Sequence, residues 1–322
     1  MQMPRIPIYQ APTGSLAGPE LAVAVANAGA MGAMALTWTE PTEAAAFVRQ
    51  VRAATDGVFQ VNFALAFPPK SLNAALESGV PIVTFSWGDP APYLTEVRAA
   101  GAAFGVQVTS VSGARRVLDL GADFLICQGI EAGGHVQSTR PLWELLPRVI
   151  AEAGQTPVIA SGGIGDGQGI AQALSLGAAG TMLGTRFVAT RESRAHPDYK
   201  QRLLEASASD AALTVCFDGG WPYAAHRVLR NQTLDTWEAA GCPSIGQRPG
   251  EGDTVGQSAS GEAIYRYEDT APRQGMTGDV SDMALYAGTS CGLINDVPPA
   301  GELVARLWAE AEMSEADIGT SD

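Results

Sequence analysis

The stretch Val158-Ile-Ala-Ser-Gly-Gly-Ile-Gly-Asp-Gly167 runs from a short apolar strand through a glycine-rich turn into a helix. The stretch Thr181-Met-Leu-Gly-Thr-Arg186 repeats the pattern, again with glycine after a strand. Glycine lets the backbone bend sharply and bring bare N–H groups close to an anion. In a (β/α)₈ barrel the loops after the seventh and eighth strands form the usual phosphate site. The two stretches therefore predict a barrel that binds a phosphate group.

Strand-like and helix-like segments alternate over the first part of the chain, which predicts an α/β fold with a parallel sheet. Eight strands, and glycine signals after the last two, favour a (β/α)₈ TIM barrel. A Rossmann sheet is disfavoured because no early Gly-x-Gly-x-x-Gly is present. An open flavodoxin-like sheet is the structural alternative. The predicted strands are residues 6–10, 32–36, 59–64, 82–85, 104–108, 124–128, 157–160 and 181–184.

The α/β pattern stops after Arg194, and the chain divides into three parts. Residues 1–194 are predicted to form the barrel. Residues 195–280 are predicted to be an inserted subdomain or lid at the active-site face, helical up to 240 and then irregular. Residues 281–322 are predicted to return to the barrel, with helices at 282–287 and 300–311 and a frayed acidic tail at 314–322.

The composition excludes several classes of function. A net charge of −14 argues against nucleic-acid partners and anionic membrane surfaces. The N-terminus lacks the apolar run of a signal peptide, so a cytoplasmic location is expected. No metal site or disulfide framework is indicated, since the three histidines lack metal spacing and the cysteines lie far apart. These cysteines are Cys127, Cys216, Cys242 and Cys291.

Two segments carry the predicted phosphate site. Ser161, Gly162 and Gly163 follow the seventh strand, and the helix after them offers free N–H groups and a partial positive charge. Gly184 and Thr185 follow the eighth strand and add a further N–H group and a hydroxyl. Tight turns between strands and helices would explain either segment alone, but the pair favours phosphate binding.

A histidine follows the sixth strand in Glu131-Ala-Gly-Gly-His135. Consecutive glycines would let the chain run flat against a planar ligand, with the imidazole pointing into the cavity. Because histidine accepts or holds a proton near neutral pH, His135 is the candidate catalytic residue. His196 and His226 lie outside the predicted strand ends and are expected to be surface or structural residues.

Polar side chains at other strand ends favour a flat heterocycle with carbonyl and N–H edges. Barrel-lining positions are normally apolar, so amides placed there need hydrogen-bonding partners. Together they favour a ring the size of a flavin. The residues concerned are Gln10 to Thr13, Asn62, Gln107 and Gln128.

These segments together resemble the nitronate monooxygenase family. The resemblance is carried by Pro7-Ile-Tyr-Gln-Ala-Pro12, Gln128-Gly-Ile-Glu-Ala-Gly-Gly-His135, Val158-Ile-Ala-Ser-Gly-Gly-Ile164, Gly184-Thr-Arg186 and Tyr286-Ala-Gly-Thr-Ser-Cys-Gly-Leu-Ile294. It implies an FMN whose phosphate lies between Ser161–Gly163 and Gly184–Thr185. It places the flavin ring near Ala11, Pro12, Thr13, Asn62, Gln107, Gln128, Gly133 and Gly134, and makes Tyr286 a substrate contact.

The resemblance also implies a reaction. His135 would deprotonate a neutral nitroalkane or orient a nitronate, which O₂ then converts into a carbonyl compound and nitrite. The implied partners are a nitronate and O₂, and a homodimer is compatible with them. An NAD(P)H-dependent quinone or enoyl reductase on the same FMN barrel and a non-redox phosphate-ligand barrel are the alternatives.

Three positions depart from the family pattern. Gln137 stands where a glycine often follows the histidine by two residues. Gln107 stands where some relatives carry lysine, and Thr289 replaces a common glutamine. These departures leave FMN binding expected and bear on the native substrate.

Overall fold

Eight parallel strands form the core of the molecule. The computed structural model describes residues 2–319, with side chains through Ser314. The barrel strands are β1 (Ile8–Gln10), β2 (Gly32–Ala35), β3 (Phe59–Ala64), β4 (Ile82–Ser86), β5 (Ala103–Val108), β6 (Phe124–Gln128), β8 (Val158–Ser161) and β9 (Gly180–Leu183). They pair in the order β1-β9-β8-β6-β5-β4-β3-β2, and Tyr9 bridges to Met31 to close the ring. The predicted TIM barrel is confirmed, and the strand bounds differ by at most two residues.

Helices connect the barrel strands, and further helices follow the last strand. They are α1 (Pro19–Asn27), α2 (Pro41–Ala54), α3 (Leu72–Glu77), α4 (Leu94–Ala99), α5 (Val111–Asp119), α6 (Leu142–Ala153), α7 (Gly167–Ser175), α8 (Thr185–Val188), α9 (Pro197–Glu205), α10 (Gln232–Ala239) and α11 (Ala300–Gly319). The apolar faces of α1 to α8 and of α11 pack into the barrel core, as the 3.6-residue pattern predicts, whereas α9 and α10 pack into two separate apolar clusters. Among residues 2–319, no helix has the length and apolar character needed to cross a bilayer.

Large and small residues interlock inside the barrel. A side chain on Gly105 would overlap the Phe124 ring at 2.3 Å, and one on Gly180 would overlap the Tyr9 ring at 2.6 Å. These two glycines therefore make room for two fully buried aromatic rings. The rings fill the lower barrel, and the space above them stays open at the carboxyl ends of the strands.

The segment after β9 differs in part from the helical expectation. Helices α9 and α10 are present, but β10 (Ala211–Thr214) and β11 (His226–Leu229) form an unpredicted antiparallel pair. Strand β11 also pairs with β7 (Gly134–His135), so this segment contacts the loop after β6 directly. A second small sheet contains β12 (Thr254–Gln257), β13 (Ala263–Tyr265) and β14 (Thr277–Gly278).

The last part of the chain supplies an outer helix of the barrel. The predicted helix at 282–287 is wrong, because a 3-10 turn at Val280–Asp282 is followed by extended chain. That extended chain bonds to β11, with the Leu229 amide donating to the Leu285 carbonyl at 2.8 Å. Helix α11 packs against α7 and α1 and completes the outer layer. Residues 314–319 of the predicted tail continue α11, and 320–322 lie outside the described residues.

Candidate functional site

A cavity of about 820 Å³ opens at the carboxyl ends of the barrel strands. Its volume falls in the range of small-molecule sites, roughly 300–1,000 Å³. Of the residues that the sequence places in the site, Gln10 does not line this cavity, because its side-chain amide bonds to the backbone of Ala33. The others do. They are Ala11, Pro12, Thr13, Asn62, Gln107, Gln128, Gly133, Gly134, His135, Ser161, Gly162, Gly163, Gly184, Thr185 and Tyr286.

The turn after β8 presents bare backbone amides to the cavity. Gly162 and Gly163 have φ values of +113° and +72°, a region that only glycine adopts readily. Within the described part of the chain their amides donate no hydrogen bond. The short helix α8 follows β9 on the other side, and its first amides lack partners within the helix. This arrangement matches the phosphate site of TIM barrels, where a short extra helix follows the eighth strand.

Helix α7 does not contribute to the cradle as the sequence suggested. The Gly167 amide at its start donates to a carboxylate oxygen of Glu310 in α11 at 3.2 Å. The Gly169 amide donates to the side chain of Asp166 at 2.8 Å. Because two carboxylates already satisfy these amides, the start of α7 is closed to a phosphate. The cradle therefore depends on the turn after β8 and on α8.

Two threonine hydroxyls face the same end of the cavity. The Thr13 Oγ1 atom is buried and has no hydrogen-bond partner among the described residues. A buried hydroxyl without a partner is costly, which indicates a missing ligand group. The Thr185 Oγ1 atom accepts a hydrogen bond from the Gly288 amide at 2.9 Å and keeps its own proton for donation. Bare amides and donor hydroxyls fit the phosphate group of FMN.

Side-chain amides form a connected network beside the cradle. Gln107 Nε2 donates to Gln137 Oε1 at 2.9 Å. The backbone N–H of Gln137 donates to Gln128 Oε1 at 3.0 Å. Asn62 Nδ2 lies 3.2 Å from both the carbonyl and the hydroxyl oxygen of Thr84. Gln137 was not singled out from the sequence as a site residue. Two of the predicted ring-contact residues, Gln107 and Gln128, are thus joined through Gln137, and Thr84 holds the third, Asn62.

His135 lines the cavity. Its Nε2 atom is buried and has no hydrogen-bond partner among the described residues. Burial, together with the neighbouring His226, lowers the pKa of His135 to about 3. The Trp221 ring stacks on the imidazole with centroids 4.4 Å apart. His135 is therefore a neutral imidazole at physiological pH, and its Nε2 atom has an unused hydrogen-bonding capacity.

The loop before His135 packs against the chain rather than only against a ligand. A side chain on Gly133 would lie 2.3 Å from the Gly288 nitrogen, so glycine is needed for this backbone contact. Gly134 has a φ of +72°, which turns the chain into β7. The Glu131 carboxylate accepts from the Leu142 amide at the start of α6. The motif thus fixes His135 by backbone packing at Gly133 and by a helix cap at Glu131.

The other two histidines have structural contacts, as the sequence interpretation expected. His226 lies opposite His135 in the β7–β11 pair, with ring centroids 5.4 Å apart. Its Nε2 accepts from the Phe217 amide at 3.1 Å, and its Nδ1 lies 2.9 Å from the Ala224 carbonyl. These partners fix a neutral tautomer, and burial lowers the pKa of His226. His196 caps α9 by accepting from the Asp198 amide at 3.1 Å.

Tyr286 contributes its ring rather than a free hydroxyl. Its hydroxyl donates to the Asp269 carbonyl at 2.9 Å, and its ring centroid lies 5.7 Å from that of His135. Burial raises the pKa of Tyr286 well above its ordinary value. The nearby Asp269 carboxyl lines the cavity, and burial raises its pKa as well. The sequence analysis did not identify Asp269.

Six aromatic residues in the cavity wall were also missed. They are Trp38, Phe67, Trp87, Trp221, Phe47 and Tyr199. The first three follow the ends of β2, β3 and β4, so their positions after strands were a usable signal. Trp221 comes from the segment after β9, and only the folded arrangement brings it to His135.

Comparisons with known proteins identify the family. A family model described as "Nitronate monooxygenase" matches residues 2–75 and 69–310. The nitronate monooxygenase of Pseudomonas aeruginosa is 31% identical over 352 residues, covering 94% of this chain and 95% of that protein. A Mycobacterium tuberculosis protein named (3aS,4S,5R,7aS)-5-hydroxy-7a-methyl-1-oxo-octahydro-1H-indene-4-carboxyl-CoA dehydrogenase is 35% identical over 237 residues. That match covers 72% of this chain and 65% of the relative, so this chain spans about two thirds of its length.

Two solved structures share the whole architecture. FabK from Thermotoga maritima aligns with a TM-score of 0.82 at 28% identity, covering 99% of this chain and 96% of that one. The nitroalkane oxidase of Streptomyces ansochromogenes aligns with a TM-score of 0.77 at 28% identity, covering 98% of each chain.

Proposed function

Because this chain belongs to the nitronate monooxygenase family, we propose that it binds FMN and oxidises alkyl nitronates with O₂ to carbonyl compounds and nitrite. The observation that carries the proposal is the buried Nε2 of His135 at the cavity, which has no hydrogen-bond partner within the part of the chain that the structure describes. It lies in the same cavity as a phosphate cradle of bare amides. One cavity thus combines a site for the cofactor with a neutral imidazole for the substrate.

The residues present fit FMN. The amides of Gly162 and Gly163, the hydroxyls of Thr13 and Thr185, and the turn at Gly184 would hold the phosphate. The flavin ring would lie near Asn62, Gln107, Gln128 and the chain at Gly133–Gly134. When bound, FMN accepts electrons from the substrate. The protein contributes binding, orientation and the exclusion of water.

The state of His135 favours a nitronate over a neutral nitroalkane. A base is most effective when its pKa lies near the working pH, and the pKa of His135 is lowered to about 3. A nitronate has already lost its proton, so the imidazole needs only to orient it through Nε2. Tyr286 and Trp221 restrict the position of the imidazole ring. We therefore propose pre-formed nitronates as the substrates and neutral nitroalkanes as poor ones.

An NAD(P)H-dependent quinone or enoyl reductase is the second candidate. The likeness to FabK over 99% of the chain supports it. The family match favours a flavin-dependent oxidoreductase over a non-redox phosphate-binding barrel.

One experiment separates the two candidate functions by the compound that reduces the flavin. The purified flavoprotein is mixed without oxygen with ethylnitronate, propionate-3-nitronate, nitroethane, NADH and NADPH in turn, and flavin bleaching is followed. We expect fast bleaching by at least one of the two nitronates and slow bleaching by nitroethane, NADH and NADPH. Fast bleaching by NADH or NADPH alone would assign the protein to the reductases.

A further inference from the structure

A continuous row of aromatic rings leads from the protein surface to His135. Trp38 is 58% exposed and contacts Phe67 edge to face, with centroids 5.3 Å apart. Phe67 contacts Trp221 at 5.0 Å, and Trp221 stacks on His135 at 4.4 Å. All four residues line the cavity. We call Trp38, Phe67, Trp87 and Trp221 the aromatic wall.

Trp87 is held in the wall against its backbone preference. Its φ of +59° is unfavourable for a bulky side chain and persists only where the surroundings enforce it. The Trp87 amide donates to Gln137 Oε1 at 3.3 Å, and its ring lies 4.6 Å from that of Trp221. Such enforced conformations concentrate at ligand sites. The position of Trp87 is thus an independent sign that the wall serves binding.

The faces of the wall are free of cations. Among residues 2–314 the arginine–aromatic stacking pairs involve Phe104, Phe47 and Tyr267, none of which belongs to the wall. Four rings from three barrel loops and from the segment after β9 therefore present an apolar surface that continues to His135. Aromatic side chains contribute a large apolar contact area, which suits hydrocarbon groups.

We propose that the aromatic wall binds the hydrocarbon body of the substrate. The inference rests on the proposed function and specifies its substrate class: a nitronate with an extended or planar apolar group on the reacting carbon. A short nitronate would leave the wall exposed to water. A distal carboxylate, as in propionate-3-nitronate, would lose its hydration against it. Each methylene that the wall buries should improve binding about fourfold, which corresponds to about 0.8 kcal/mol.

Straight-chain carboxylates test the wall separately from the chemistry. They share the planar anionic end of a nitronate and are not oxidised. Calorimetry of the flavoprotein with butanoate, hexanoate and octanoate should show Kd falling about fourfold per methylene. In Trp221→Ala this dependence should flatten. In Tyr223→Ala, a matched change two residues away at a side chain 85% exposed and outside the cavity lining, it should persist.

Further measurements keep the outcomes distinct. If Trp221→Ala fails to fold, Trp38→Ala at the exposed end should weaken octanoate binding and leave butanoate binding unchanged. An affinity independent of chain length, or an equal slope in wild type and both wall variants, would overturn the inference. Oxidation of nitronates with no chain-length dependence would contradict the wall alone. Steep carboxylate binding without nitronate-driven flavin bleaching would contradict the proposed function alone.

Discussion

Gln107 and Gln137 are joined by a hydrogen bond of 2.9 Å between their side-chain amides. The resemblance noted in the sequence marks both positions as departures, with lysine in some relatives at the first and often glycine at the second. The two departures are therefore in direct contact. Gln137 also accepts from the Trp87 amide, so the pair is connected to the aromatic wall.

We expect the two glutamines to be energetically coupled. Gln107→Ala and Gln137→Gly should each lower the free energy of unfolding, because each removes the same hydrogen bond. Together they should cost less than the sum of the single changes, with a coupling of about 0.5–1.5 kcal/mol. Urea unfolding of the four proteins in the cycle measures this coupling. Additive losses would show that the hydrogen bond contributes nothing.

Thr13→Val should separate folding from cofactor binding. The buried Thr13 hydroxyl lacks a partner, so its removal should leave the apoprotein as stable as wild type or more so. If the hydroxyl binds FMN, Kd should rise about 5- to 30-fold, which corresponds to about 1–2 kcal/mol. Thr181→Val is the matched control, because that hydroxyl is also buried and partnerless but lies outside the cavity lining. Flavin titrations that respond equally to both changes would remove Thr13 from the cradle.

His135→Ala should retain FMN and lose activity. Orientation by the imidazole is lost for nitronates, and any residual proton removal is lost for nitroalkanes. An effective acid–base group typically contributes about 10²–10⁴-fold, but an imidazole with a pKa of about 3 is a weak base, so the larger loss should fall on nitronates. In the wild type, kcat/KM for a pre-formed nitronate should be constant from pH 5 to 8, because His135 ionises only near pH 3. A titration step near pH 6.5 would contradict a neutral His135.

The buried histidines should make the fold sensitive to acid. The unfolded chain takes up protons near pH 6.5, whereas His135 in the fold does so only near pH 3. The free energy of unfolding is therefore not reduced by protonation of His135 above pH 6.5. It falls as the pH falls from 6.5 toward 3, because only the unfolded chain takes up the proton in that range. His135→Phe should make the free energy of unfolding fall less steeply between pH 6 and 4, by up to about 1.4 kcal/mol per pH unit. Chemical denaturation at several pH values measures the slope, and an unchanged slope would refute this account.

We propose that the segment 195–280 covers the cavity and responds to substrate. Trp221, Thr270 and Arg273 from this segment line the cavity. Hydrogen exchange of the flavoprotein should therefore show added protection around residues 217–224 and 267–273 when octanoate binds. Residues 254–265, in the small second sheet, provide an internal reference that should not change. Protection confined to the barrel loops would show that the segment is not a lid.

Local signals in the sequence predicted the barrel and fifteen of the residues that line the cavity. Glycine after β8 and β9 and the alternation of strands with helices are properties of neighbouring residues, so they are visible in the sequence. Trp221 and the β7–β11 pairing depend on contacts between distant parts of the chain. The start of α7 was misinterpreted for the same reason. The Glu310 carboxylate that closes it lies 143 residues further along the chain.

The placement of α11 has a consequence for how the protein is made. This helix fills the outer layer between α7 and α1, yet the chain reaches it only after the whole segment that follows β9. Domains generally fold as units during synthesis. The apolar faces of α1 and α7 therefore remain exposed until α11 has been synthesised. A nascent chain stalled before Ala300 would expose the apolar surface that α11 normally covers. We therefore expect chaperones to be needed at that stage of synthesis.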